Sequence, residues 1–124
     1  MSDRLVRQDG DDMKYPPLVP KALCRTPIRV TIHREGIDED GAPLAALTVE
    51  TTCNWQDSAR IIRTDETRSV QLSGVALFYG DLCPELAAIA SGTVAVFGEL
   101  RTIFRGSKAR NPDGTVNYTR LELI

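Results

Sequence analysis

The chain has 124 residues, 42% of them hydrophobic and 26% charged, with a formal net charge of −2. This balance fits one domain large enough to bury a single core without covalent staples. It argues against a module whose affinity comes from neutralising phosphates, which would carry a basic excess. No apolar run approaches the roughly 20 residues that span a bilayer, and residues 1–17 contain no apolar signal region, so export is not expected. The three cysteines, Cys24, Cys53 and Cys83, form no CxxC pair and leave an odd count. Free thiols in a reducing compartment are the expectation.

Residues 1–23 read as an extended arm. Tyr15-Pro16-Pro17-Leu18-Val19-Pro20 places three prolines in six residues, which favours polyproline II geometry. The arm is either a disordered leader or a strap that lays Leu18, Val19 and Leu23 onto a neighbouring subunit. Residues 24–124 form the folded domain.

Period-2 patterning begins with Ile28, Val30 and Ile32, alternating with Arg29, Thr31 and His33 as a half-buried strand requires. The stretch IDEDGAP reads as a hairpin turn. The return strand puts Leu47, Val49, Thr51, Cys53 and Trp55 on one face, so Trp55 is expected to be substantially buried. Residues 56–68 are mostly polar around Ile61 and Ile62, and read as a projecting loop or ragged hairpin, with an ordinary buried strand as the alternative. Val70 and Leu72 then share one phase, while Val75, Leu77 and Tyr79 follow the other. A bulge at Gly74 explains that switch.

Residues 84–90 are the one plausible helix, of about two turns, with Pro84 and Glu85 suited to its first turn and Gly92 to its end. TVAVFGELRTIFRG gives two more strand segments broken near Gly98. Asn111-Pro112-Asp113-Gly114 reads as a type I turn closed by a G1 bulge, with Gly114 at positive φ. It sets the register between a strand through Ile103 and Phe104 and one through Val116 and Tyr118. Six to seven short strands with one short helix predict an all-β fold, a small barrel or sandwich, in which the last strand covers an edge.

The inventory predicts no catalytic, cofactor-binding or metal-binding set. His33 is the single histidine and faces outward. Three cysteines and one histidine match a zinc ligand count but lack its short spacings. Asp38-Glu39-Asp40 precedes Gly41 and fits solvated turn acids better than a cation site. No GxxxxGK[ST], GxSxG or GxGxxG is present. Lys108 and Arg110 either touch phosphate or solubilise a strand. Aromatic residues are 6% of the chain and do not interleave with basic ones, which disfavours a base-stacking platform.

The segments PPLVPKAL, IRVTIHREGIDEDG, VQLSGVALFYGD and GSKARNPDGTVNYTRLELI together resemble the minor capsid proteins of tailed-phage and prophage head–tail modules, grouped with small head-closure, or head–tail joining, proteins. The resemblance covers residues 15–124 and includes no catalytic motif. It implies a small β-barrel with long loops that assembles as a dodecameric ring beneath the portal and adaptor. Such a ring closes the filled head in the virion neck, after assembly in the host cytoplasm, and docks the tail through a tail-completion protein. Double-stranded DNA passes its channel without sequence-specific binding, and no membrane is involved.

The resemblance also implies a channel loop, for which residues 56–68 are the positional match, with Ile61, Ile62, Arg63 and Asp65 as its candidates. Leu18, Val19, Leu23, Lys108 and Arg110 are the candidate subunit contacts, and Pro112, Asp113 and Gly114 the structural turn. Rival readings are a tail-completion or tail-tube subunit, an OB-like nucleic-acid binder with aromatic and basic residues on one face, and, third, a small enzyme.

Overall fold

The computed structural model describes residues 14–34, 36–58, 61–63 and 69–124. Within them lie eight strands: β1 (Thr26–Ile32), β2 (Leu47–Asp57), β3 (Ile61–Arg63), β4 (Ser69–Gln71), β5 (Gly74–Tyr79), β6 (Gly92–Val96), β7 (Glu99–Arg110) and β8 (Val116–Leu123). Six of them close an antiparallel barrel in the order β1-β2-β5-β8-β7-β6, while β3 and β4 form a separate two-stranded ribbon. Closure between β1 and β6 aligns Ile28 with Val96 and Ile32 with Gly92. Barrel closure gives strand edges a partner, which an open sheet of this size lacks. Among the described residues no helix is long and apolar enough to cross a membrane.

The core follows from alternation. Ile28, Val30 and Ile32 of β1 point inward and are buried, and Arg29 points out to pair with Glu50 of β2 at 2.9 Å. Phe78, Val94, Val96, Ile103, Leu121 and Leu123 fill the interior from the other strands. Two register shifts interrupt the β7–β8 ladder. Phe104 is the extra residue on β7 and Asn117 the extra residue on β8. A bulge bends its strand, and Asn117 is buried in phase with Thr119, Leu121 and Leu123.

The turn between β7 and β8 forms as expected. Gly114 has φ +92°, its N–H donates to the Asn111 carbonyl at 2.9 Å, and Asn111 N–H donates to the Thr115 carbonyl at 2.7 Å. Thr115 donates its N–H and hydroxyl to Asp113 Oδ1, and these bonds hold the Asp113 carboxyl below its usual range. Arg110 Nη1 donates to the Gly114 carbonyl at 2.8 Å, so its side chain clasps the turn.

Two expectations need correction. Residues 84–90 are not helical but form turns and irregular backbone; Leu82, Cys83 and Ile89 are buried in the barrel core. The Cys83 carbonyl accepts the Leu86 N–H at 3.0 Å in a single turn that is not continued, and the Cys83 and Leu86 carbonyls both accept from Lys108 Nζ. The phase switch at Gly74 is not a bulge. β4 belongs to the ribbon and β5 to the barrel, and buried Leu72 lies in the connection between them.

Trp55 is partly buried and packs against the core. Its Nε1 donates to Asp57 Oδ1 at 2.8 Å, the Phe97 ring meets it edge-on at 5.6 Å, and the Arg101 guanidinium lies 5.5 Å from its ring centre.

Gly74 and Gly114 make a contrasting pair. A Cβ on Gly74 would stand 2.2 Å from Trp55 Cζ2, whereas one on Gly114 would meet nothing within 4 Å. Gly74→Ala is expected to lose about 1–3 kcal/mol by overpacking the indole. Gly114→Val should lose about 1–2 kcal/mol through backbone conformation alone. Urea unfolding measures both, and Gly114→Asn, which tolerates the left-handed region, should recover most of the second loss.

Candidate functional site

A clamp on the strap occupies one end of the barrel. Asn117 sits in the inward phase of β8, where Thr119, Leu121 and Leu123 continue the row. Its Oδ1 accepts the Leu18 N–H at 2.9 Å. Its Nδ2 is shared among the Tyr15 carbonyl, the Pro16 carbonyl and Asn111 Oδ1, and Asn111 Oδ1 also takes the Tyr15 N–H at 3.0 Å. Extended Pro-rich backbone has no internal hydrogen bonds, so these two side-chain amides supply the pairing it lacks.

Val19 is 7% exposed and packs within its own chain, which removes it as a subunit contact. Leu18 and Leu23 are exposed at 63% and 56%. Of the arm, residues 1–13 lie outside the described residues. The clamp was hidden from sequence reasoning because Asn111 was absorbed by the turn. Asn117 carried a usable signal, a polar residue in the inward phase of a strand.

Lys108 is the second correction among the site candidates. Its side chain is 4% exposed, and Nζ lies 2.8 Å from Asp81 Oδ1 while donating to the carbonyls of Cys83 and Leu86. A buried ammonium with one carboxylate and two carbonyls is satisfied internally and is not available to a neighbouring subunit. Arg110 remains exposed. Arg105 pairs with Glu122 at 3.6 Å and Arg120 with the same carboxylate at 3.0 Å.

β3 and β4 align Ile61 with Gln71 and Arg63 with Ser69, so the 56–68 segment contains a ribbon strand. Ile61 is 65% exposed. Ile62 and Arg63 belong to the same strand, and Asp65 lies outside the described residues. At the barrel end that holds Trp55, the two-residue connection Phe97-Gly98 has φ +53° and +73°. Phe97 is 63% exposed in that turn, and β7 adds exposed Leu100.

The remaining polar candidates lie apart from one another. His33 Nδ1 lies 3.3 Å from Ser91 Oγ at the surface. Asp38 Oδ1 accepts the N–H groups of Asp40 and Ala42, both at 2.9 Å, so this acid organises its turn. Cys24, Cys53 and Cys83 are buried free thiols. Burial, with a smaller contribution from Cys24, pushes the Cys53 thiol up to about 12; burial also raises Cys83. Among the described residues no group of three His, Cys, Asp or Glu side chains is arranged to hold a metal ion.

The outer face of β5, β8 and β7 aligns Tyr79 with Tyr118 and Ser107 with Arg120, an aromatic–basic grouping that sequence spacing did not reveal. No family model matches the chain, and no curated protein matches it.

Three outcomes follow from this geometry. Lys108→Ala should cost about 3–5 kcal/mol by leaving Asp81 and two carbonyls without their cation, read by chemical denaturation. Deleting residues 1–20 should lower the calorimetric unfolding temperature, since Val19 and the clamp bonds go with it; Asn117→Ala should reproduce part of that drop, about 1–3 kcal/mol. For Cys53 the folded state binds the thiol proton more tightly than the unfolded chain, whose reference value is 9.0. Its contribution is therefore complete below pH 9.0 and lost as pH rises toward 12. Cys53→Ala should flatten this alkaline loss in a pH series of melting curves.

Proposed function

We propose that the chain is a structural virion protein of a tailed phage or prophage, a head-closure subunit that forms a ring below the portal and adaptor, retains packaged DNA and docks the tail. The segments quoted above support this reading by their resemblance to that family. The observation that carries it is the ribbon of β3 and β4: a β insertion outside the barrel ladder, with Ile61 exposed at its start. Reactive groups give little support to an enzyme, since all three thiols are buried and the single histidine is a surface residue bonded to a serine.

A six-stranded closed barrel differs from the five-stranded, partly open OB-fold. On the aromatic–basic face Arg105 and Arg120 share Glu122 as a counter-ion, which weakens its attraction for a phosphate chain. The tail-completion and tail-tube readings share the ring and differ in the docking partner.

Mass measurement of the purified protein, alone and with a portal–adaptor complex, tests the reading directly. Binding to that complex as a ring is expected; binding only to a tail-tube assembly would overturn it. Asp57 and Gly74 are register partners, Leu72 is buried and the Ser73 N–H donates to the Leu123 carbonyl at 2.7 Å, so residues 58–71 can be replaced by a short turn that keeps Leu72 and Ser73 in place. That variant should fold with an unchanged β spectrum by circular dichroism, yet heads assembled with it should release packaged DNA. Full DNA retention would remove the gating role.

A further inference from the structure

One stretch of strand edge stays open although the barrel is closed. β2 pairs with β1 through Leu47–Cys53 on one side, and with β5 only through Asn54–Asp57 on the other. Among the described residues, none makes a backbone hydrogen bond to the Leu47–Cys53 edge turned away from β1. In an antiparallel pair every second residue directs its N–H and C=O away from its partner, so this edge presents a row of unpaired donors and acceptors. Thr48, Glu50, Thr51 and Thr52 along it are exposed.

Across the gap, Phe78 and Tyr79 of β5 are paired only with β8. Between the two strands lies a cavity of about 130 Å³, whose wall includes apolar Val49, Phe78 and Leu82 together with Thr51, Lys21 and Asp81.

The chain also carries an element of the opposite need. β3 and β4 pair only with each other, and a two-stranded ribbon alone is marginally stable in water. Among the described residues neither ribbon strand has a second partner, and Ile61 is 65% exposed. In its own chain the ribbon leaves β2 after Asp57, where β5 already occupies the edge.

We propose that β3 of one copy adds as an extra strand to the Leu47–Cys53 edge of β2 in the next copy, with Ile61 seated in the cavity beneath it. Main-chain hydrogen bonds then supply affinity and the isoleucine supplies the register. Because ribbon and edge are different surfaces, the contact is heterologous and repeats around a closed ring. This contact rests on the ring reading above and names the surfaces that would join its subunits.

Cysteine pairing tests the contact. Thr51→Cys and Ile61→Cys proteins, prepared separately and mixed under mild oxidation, should give a covalent dimer that neither gives alone; the native thiols are buried. Ile61→Asp and Thr51→Lys should each abolish the higher-mass species in native mass spectrometry while leaving the melting temperature unchanged. Neither position supports the core, since both are exposed.

Absence of the mixed dimer, assembly that survives Ile61→Asp, or a wild-type protein that stays monomeric up to millimolar concentration would each overturn the proposal. Assembly lost on removing residues 1–13 but kept in Ile61→Asp would assign the edge to the N-terminal segment instead. The two readings fail separately. A ring dependent on Ile61 and Thr51 that ignores the portal complex removes head closure and keeps this contact. A ring of Ile61→Asp protein that still binds the complex does the reverse.

Discussion

A lysine ammonium placed inside a small barrel must find oxygen partners or lose its charge. Lys108 finds three, one carboxylate and two carbonyls, and all three lie on the segment between β5 and β6. That segment holds Leu82, Cys83 and Ile89, whose side chains complete the core. The need of one cation thus decides the path of the loop that plugs the barrel. Gly106, the inward residue two positions before Lys108, makes room for the plug: a Cβ there would stand 2.8 Å from Ile89 Cβ. The bulge at Phe104 places both residues in the inward phase, since it shifts β7 by one residue after Ile103.

This arrangement marks where sequence reasoning reached and where it stopped. Alternation in β1, β6 and β8 was readable because each has one face in the core and one in water, whereas β2 follows it only in part, its Thr51 being exposed. The β7–β8 turn was readable because proline, aspartate and glycine each meet a separate backbone demand. Residues 84–90 carry local helix signals that a distant lysine overrides, and nothing in their own sequence announces it. Lys108 itself was misread as a surface charge because its strand changes phase at a bulge upstream. Gly74 was misread for a related reason. The pattern showed that the phase changed, but a bulge and a switch between sheets write the same pattern.

The candidate sites divide along the same line. The ribbon was visible as a polar insertion between two strong strands, and its exposed Ile61 was named from sequence. The strap was visible from its prolines, but its acceptor was not, because Asn111 and Asn117 reach it across a sequence separation of about a hundred residues. Likewise the open part of β2 is a property of the pairing of three strands and leaves no mark on β2 alone. A strand with a continuous alternating pattern looks equally paired along its whole length.

The pairing of Asp57 with Gly74 has a consequence for how this architecture can vary. Between them the chain leaves the ladder and returns to adjacent positions with the β3–β4 ribbon as a separate sheet, and only its last residues, buried Leu72 and Ser73 bonded to Leu123, are tied to the barrel, so the barrel sets few demands on the ribbon itself. Lengthening such a loop costs only about 0.6 kcal/mol for each doubling, while Gly74 itself is fixed by the indole of Trp55. The barrel therefore acts as a socket of constant shape for an interchangeable insert, and lineages sharing it could diverge in the length and chemistry of that insert while their cores stay superimposable.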